Sequence, residues 1–194
     1  QKLSNCIKEI SKECFIPVTA GGGIVNIEQA KTIFRSGADK ILFNSSLLKN
    51  KKLIKEIAYI YGEQSIIASV DIRKEKSKYF VFLNNGQLNM KINLNDYLKL
   101  IEKLPIGEIL VNSIDRDGTG FGLDLNLIKH FKKLSKPIIL SGGLGKKEHF
   151  FESLKSPYID GVSTANLLNF LGTALYDVRK FLYKKSLNLA KWKQ

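Results

Sequence analysis

The stretch PVTAGGGIVNIEQAKTIFRSGADKILFNSSLL, residues 17–48, is echoed by PIILSGGLGKKEHFFESLKSPYIDGVSTANLL, residues 137–168. Each copy predicts a buried strand, a glycine turn, a helix that begins near a Glu, and a second short strand. A helix after a glycine turn presents unpaired N–H groups that suit phosphate, so the duplication predicts two anion sites. The alternative is a pair of ordinary turns whose glycines avoid strain. Without a gap, identical residues recur 120 positions apart at Pro17/Pro137, Gly22/Gly142, Gly23/Gly143, Glu28/Glu148, Ser36/Ser156, Leu47/Leu167 and Leu48/Leu168.

The composition indicates a globular chain of about one domain. It has 194 residues, 44% of them hydrophobic, and no apolar run near the roughly 18 residues of a membrane span. We therefore expect a cytoplasmic protein without membrane association. The net charge of +13 comes mostly from scattered lysines without an aromatic stacking platform, which argues against nucleic-acid binding. Neither metal-ligand spacing nor a nucleotide fingerprint is present, so we expect no metal and no cofactor.

Short β-branched runs alternate with longer helical patterns, which is typical of parallel βα units. Around Asn85-Gly86, alternating residues 79–90 predict a β-hairpin with a two-residue turn after the third strand. The spacing favours an α/β fold, a (βα)8 TIM barrel with six of its eight strands in this chain. We expect one domain over residues 1–194, without the first two βα units. The predicted strands are Ile16–Ala20, Lys40–Asn44, Ser65–Asp71, Gly107–Asn112, Pro137–Ser141 and Gly161–Ala165.

Two candidate sites follow from position alone, because barrel active sites lie at the carboxyl ends of the strands. Asp71 ends the apolar run IIASVD, which predicts a general acid or base; a turn or helix cap is the alternative. The run DRDGT, residues 115–119, ends the next strand. Within it, Gly118 lets the backbone approach a ligand, and Asp117 is placed to orient the loop.

Five runs carry a family resemblance: IPVTAGGGI, GADKILFNSS, SVDI, GEILVNSIDRDGTGFGLDL and PIILSGGLGKKEHF, in that order. They resemble the cyclase subunits of imidazole glycerol phosphate synthase, an enzyme of histidine biosynthesis. The resemblance covers nearly the whole chain and includes the half-barrel duplication for which that family is known. The sister isomerase of the same pathway shares the fold but differs around the DGT loop.

The resemblance implies a lyase-type ring closure. Ammonia adds to a ribulosyl formimino aminoimidazole carboxamide ribonucleotide, which carries a phosphate at each end, and the products are imidazole glycerol phosphate and an aminoimidazole carboxamide ribonucleotide. By position, Asp71 would be one of two catalytic aspartates. One phosphate would be held by Gly23, Asn44 and Ser45, and the other by Asp117, Gly118, Gly143, Ala165 and Asn166.

The resemblance also implies a partner. Lys40 and Glu108, near the starts of their strands, match charged residues around the entrance through which ammonia arrives from a glutaminase subunit. We therefore expect a heterodimer with a glutamine amidotransferase. A structural salt bridge between Lys40 and Glu108 is the alternative.

Several departures from the family pattern leave other functions open. The second catalytic aspartate and a loop lysine belong to the first two strands, so we do not expect the whole active site in this chain. Asn166 stands where the family has serine, and Asn112 replaces a common threonine. Related barrels that use ammonia to amidate a sugar for surface polysaccharides are one alternative function. A truncated, inactive barrel that only binds a partner is another.

Overall fold

The computed structural model describes residues 2–165, 167 and 174–190. Among these residues the helices are α1 (Lys2–Glu13), α2 (Ile27–Arg35), α3 (Ser46–Lys49), α4 (Lys51–Tyr61), α5 (Leu94–Ile101), α6 (Ile128–Phe131), α7 (Lys147–Leu154) and α8 (Ala174–Lys184). The strands are β1 (Thr19–Gly21), β2 (Lys40–Phe43), β3 (Ile66–Glu75), β4 (Lys78–Leu83), β5 (Leu88–Asn93), β6 (Glu108–Ser113), β7 (Ile138–Ser141) and β8 (Gly161–Ser163). In this part of the chain, none of the helices has the length and apolar character needed to cross a bilayer.

The chain folds into two compact units, Gln1–Leu110 with Leu134–Lys136, and Val111–Lys133 with Pro137–Gln194. In the first unit β1, β2 and β3 run parallel in that order, and the start of β6 follows β3. In the second unit the end of β6 is followed by β7 and β8, which are parallel to each other. The predicted α/β fold class, with six of the strands of a (βα)8 TIM barrel, is confirmed.

Strand alternation separates a buried face from a polar face in the first unit. One face packs against α2 and α4 and is at most 2% exposed at Ile41, Phe43, Ile66, Ala68 and Val70. Successive side chains of a strand point to opposite faces, so the intervening residues line the other face. That other face therefore carries Lys40 at the amino end of β2, and Asn44 and Asp71 toward the carboxyl ends of their strands.

The predicted hairpin is confirmed, but two of its details differ from the prediction. The third strand does not end at Asp71; it continues to Glu75, because β4 pairs with it antiparallel and places Asp71 opposite Phe82. The turn between β4 and β5 has four residues, 84–87, rather than two. Asn84, Asn85 and Gly86 all adopt left-handed backbone angles, with φ of 52°, 56° and 79°.

The strand registers show where the two sequence copies depart from each other. Thr19 lies opposite Lys40 in the first copy, whereas Ile139, the equivalent of Thr19, lies opposite Gly161 in the second. The second copy therefore has one more residue between its two strands, β7 and β8, than the first copy has between β1 and β2. The gapless alignment of the two copies is wrong after the helix that each copy contains. Past that point the correspondence is 121 positions, which pairs Asn44 with Ala165.

An aspartate in each copy supports this corrected correspondence. The carboxylate of Asp39 accepts a hydrogen bond from the backbone N–H of Val18 at 2.7 Å. In the second copy, Asp160 accepts one from Ile138 at 2.8 Å. Both aspartates directly precede the second strand of their copy, so the extra residue lies in the turn between the helix and the aspartate.

Candidate functional site

A cavity of about 510 Å³ lies at the carboxyl ends of the first unit's strands. It brings together four of the predicted site residues, Gly23, Asn44, Ser45 and Asp71. Among the described residues that line it, Asp71 carries the only charge. The complete lining is Gly22, Gly23, Ile24, Leu42, Phe43, Asn44, Ser45, Ser46, Ser69, Asp71, Asn84 and Asn85.

The carboxylate of Asp71 is half-buried and held by a neighbouring strand. The side-chain N–H of Asn44 donates to Asp71 Oδ2 at 2.9 Å. Asn44 follows β2 directly and Asp71 lies within the adjacent parallel strand β3, so the hydrogen bond joins two neighbouring strands. This bond fixes the orientation of a carboxylate that is positioned to exchange protons with a ligand in the cavity.

Tyr97 of α5 lies close enough to Asp71 for the two groups to interact electrostatically. The side chain is 1% exposed, and burial raises the pKa of Tyr97 from 10.0 to about 12. The negative charge of Asp71 acts in the same direction, although it is the smaller cause. Tyr97 is therefore a neutral hydroxyl at physiological pH.

The raised pKa of Tyr97 predicts how stability depends on alkaline pH. The unfolded chain loses this proton near pH 10, whereas the folded protein keeps it to about pH 12. The stabilisation is therefore fully present below pH 10 and is lost as the pH rises through about 12. Between about pH 10 and pH 12 the unfolding free energy of the wild type should fall. In Tyr97→Phe, which lacks the titrating group, we expect this fall to be smaller by roughly 2–3 kcal/mol.

Urea unfolding at a series of alkaline pH values measures this difference. Tyr59→Phe is the matched control, because Tyr59 is 92% exposed. Parallel pH profiles for the wild type and Tyr97→Phe would contradict the assignment of a buried neutral hydroxyl.

The first glycine turn leaves space that no protein atom fills. Gly22 and Gly23 have φ of 110° and 68°, and a Cβ added at either would meet nothing within 4 Å. The sequence led us to expect a helix directly after these glycines, but α2 does not begin there. It begins at Ile27, and the side chain of Asn26 caps it by accepting from the Gln29 N–H at 2.9 Å. The turn is thus a separate element beside the cavity.

The second glycine turn differs from the first, because its glycines are required by packing. Gly143 has φ of 105°, and a Cβ there would lie 2.4 Å from the carbonyl oxygen of Gly122. The N–H of Gly122 also donates to the Gly143 carbonyl at 2.7 Å. Close backbone packing therefore accounts for Gly143 without any ligand, which was the alternative interpretation for the glycine turns.

The described residues of the second predicted phosphate set lie in the second unit. Asp117 and Gly118 are exposed in the loop after β6, and the preceding Arg116 borders the Gly143 turn. Ala165 follows β8 and is exposed, whereas Asn166 lies outside the described residues. A cavity of about 420 Å³ in this unit is lined by none of the predicted residues.

Lys40 and Glu108 form an ion pair at the amino ends of β2 and β6. Their side chains are 26% and 24% exposed, so both charges are largely shielded from water. The salt bridge that the sequence offered as a structural alternative is present. A role for the pair in admitting ammonia stays a prediction.

Sequence reasoning missed several residues that line the first cavity. Ser69 lies two positions before Asp71 on the same face of β3, a spacing that strand periodicity could have revealed. Asn84 and Asn85 belong to the hairpin turn, and the expected two-residue turn gave no reason to place them over the cavity.

Comparison with known proteins identifies one family. Residues 1–174 match the family described as Histidine biosynthesis protein. The imidazole glycerol phosphate synthase subunit HisF of Clostridium botulinum, strain Alaska E43, is 40% identical over 188 residues, which are 95% of this chain and 74% of that protein. A Parasynechococcus marenigrum protein with the provisional name of such a subunit, hisF2, is 40% identical over 98% of this chain and 72% of its own length. The HisF of Leptospira biflexa is 39% identical over 87% and 67%.

Proposed function

We propose, since the chain belongs to the histidine biosynthesis protein family, that it works as the cyclase of imidazole glycerol phosphate synthase. In this reaction ammonia adds to a ribulosyl formimino aminoimidazole carboxamide ribonucleotide, a new imidazole ring forms in imidazole glycerol phosphate, and an aminoimidazole carboxamide ribonucleotide leaves. The observation that carries the proposal is the cavity in which Asp71 stands among neutral polar groups beside a glycine turn. The expected cytoplasmic location stays a prediction.

Asp71 has the chemistry that ring closure requires. Addition of ammonia to the substrate carbon leaves a nitrogen that must lose protons, and the later eliminations require protons to be returned. A half-buried carboxylate at the cavity wall is suited to both transfers, as a base and then as an acid. Asn44 would keep the carboxylate oriented through its hydrogen bond to Oδ2.

We assign the two phosphates of the substrate to the two predicted sets. The first set, Gly23, Asn44 and Ser45, offers the backbone of a left-handed turn, an amide and a hydroxyl on one cavity. Neutral donors of these kinds commonly bind phosphate. The second set consists of Asp117, Gly118, Gly143 and Ala165, which belong to the second unit, together with Asn166.

The proposed glutaminase partner would supply ammonia on the side of the ion pair. Lys40 lies at the amino end of β2, whose carboxyl end borders the cavity, and it shares a strand face with Asn44; Glu108, its ion-pair partner, begins β6. Ammonia entering there would reach Asp71 from the side opposite the phosphate at Gly23 and Ser45.

Exchanging the charges of Lys40 and Glu108 distinguishes a role of this pair as an ammonia gate from a purely structural role. The double variant Lys40→Glu with Glu108→Lys keeps an ion pair but reverses its direction, so stability should be largely retained. We expect glutamine-dependent turnover to fall about ten-fold, whereas turnover with saturating ammonium changes little. Measuring both rates in the complex tests this, and equal loss with both nitrogen sources would contradict the gate.

The substrate itself is tested by offering the protein two alternatives with ammonium chloride. One is the ribulosyl ribonucleotide, and the other is a nucleotide-linked keto sugar of the kind that polysaccharide enzymes amidate. We expect only the first to be consumed, with imidazole glycerol phosphate identified by mass spectrometry. Consumption of the sugar alone would replace the proposed function with amidation.

A further inference from the structure

The four-residue turn of the β4–β5 hairpin forms one wall of the Asp71 cavity. Asn84 and Asn85 line the cavity together with Gly22 and Gly23 of the first glycine turn. Left-handed residues are uncommon outside glycine, and asparagine tolerates this conformation better than most others. Two consecutive left-handed asparagines therefore give the turn the shape that presents it to the cavity.

Asn84 reaches the predicted phosphate residues directly. The Ser45 hydroxyl donates to Asn84 Oδ1 at 3.4 Å and also lies 3.5 Å from Asn44 Oδ1. Ser45 has a single hydroxyl proton, so it cannot serve both acceptors and a ligand oxygen at once. A phosphate bound at Ser45 would accept the hydrogen bond from this hydroxyl. The Asn84 amide would then be available to a neighbouring group of the same ligand.

The lack of a cationic side chain among the described residues of the cavity makes such contacts important for selectivity. Among its described lining residues there is no lysine or arginine, so a phosphate there is recognised through hydrogen bonds. An amide can donate and accept, which matches a hydroxyl better than it matches a phosphate oxygen. A hydroxyl next to a bound phosphate is the group that would form a hydrogen bond with the side-chain amide of Asn84.

We propose that Asn84 and Asn85 are specificity-determining residues that contact the hydroxyl-bearing carbon chain next to the phosphate at Gly23 and Ser45. The inference rests on the proposed function, because it extends the substrate contacts of that same cavity. It assigns to the hairpin a role in choosing a polyol phosphate over phosphate alone.

Calorimetric titration with sn-glycerol 3-phosphate and with inorganic phosphate tests this assignment. In Asn84→Gly the left-handed backbone is preserved and only the amide is lost. We expect this variant to bind glycerol 3-phosphate about five- to ten-fold more weakly, the effect of one hydrogen bond, while its affinity for inorganic phosphate is unchanged. Gln87→Ala is the matched control, since Gln87 lies in the same turn but outside the cavity lining.

Three outcomes would overturn the inference: unchanged affinity for glycerol 3-phosphate in Asn84→Gly, equal weakening of both ligands, or no binding of either ligand by the wild type. Discrimination by Asn84 without turnover of the ribulosyl substrate would instead count against the proposed function alone. The same variant should raise the KM of that substrate and leave kcat nearly unchanged.

Discussion

Asp71→Asn, in a protein that also carries the first two βα units of the family, is expected to lower turnover by about 10²- to 10⁴-fold while substrate affinity and folding stay close to those of the wild type. The substitution keeps the volume of the side chain and its capacity to accept the hydrogen bond from Asn44, but it removes the group that transfers protons. Steady-state kinetics with saturating ammonium measure the effect without any contribution from a partner.

Asp39→Asn is the matched control, because Asp39 is a carboxylate of the same unit that binds the backbone of Val18 instead of lining the cavity. Its turnover should stay within a few-fold of the wild type. Near-normal turnover in Asp71→Asn, or equal losses in the two variants, would exclude Asp71 as the acid/base.

The same substitution should destabilise the second glycine turn more than the first. In Gly143→Ala a Cβ would be forced against the Gly122 carbonyl at a φ of 105°, so we expect a loss of roughly 2–4 kcal/mol in unfolding free energy. In Gly23→Ala the Cβ enters empty space, and only about 1–2 kcal/mol is lost to the left-handed conformation.

Substrate binding should be strongly sensitive to Gly23→Ala among the molecules that remain folded. The Cβ of Gly23→Ala projects beside the proposed phosphate position, and loss of one hydrogen bond to a charged group raises KM on the order of 10- to 100-fold. Urea unfolding and KM measured on both variants test the contrast. Equal destabilisation, or an unchanged KM in Gly23→Ala, would contradict the role of the first turn in phosphate binding.

The sequence predicted the site best where strand topology alone determines position. Asp71 was predicted from its place after an apolar strand run, and Asn44, which the family resemblance implied, lies on the neighbouring parallel strand and donates a hydrogen bond to it. The Lys40–Glu108 ion pair was foreseen for a related reason, since both residues begin their strands. Alternation in a strand also fixes which face a residue occupies, and it is readable from sequence.

Features that depend on backbone packing could not be predicted. Glycine is needed at position 143 because the carbonyl of Gly122 lies close to it. Gly122 is distant in sequence, and no sequence pattern predicts this contact. The extra residue before Asp160 was hidden because identities such as Leu47/Leu167 continue by coincidence after the register has shifted. The Asn84 wall was missed because the turn is longer than Asn-Gly hairpins usually are.

Turnover with ¹⁵N-labelled ammonium tests the proposed reaction most directly. The protein is incubated with the ribulosyl ribonucleotide and labelled ammonium chloride, and the products are separated and examined by mass spectrometry and NMR. Ring closure at the Asp71 cavity predicts that the label enters the imidazole ring of imidazole glycerol phosphate and that Asp71→Asn abolishes nearly all of this incorporation. Label in an amidated sugar, or undiminished incorporation in Asp71→Asn, would contradict it.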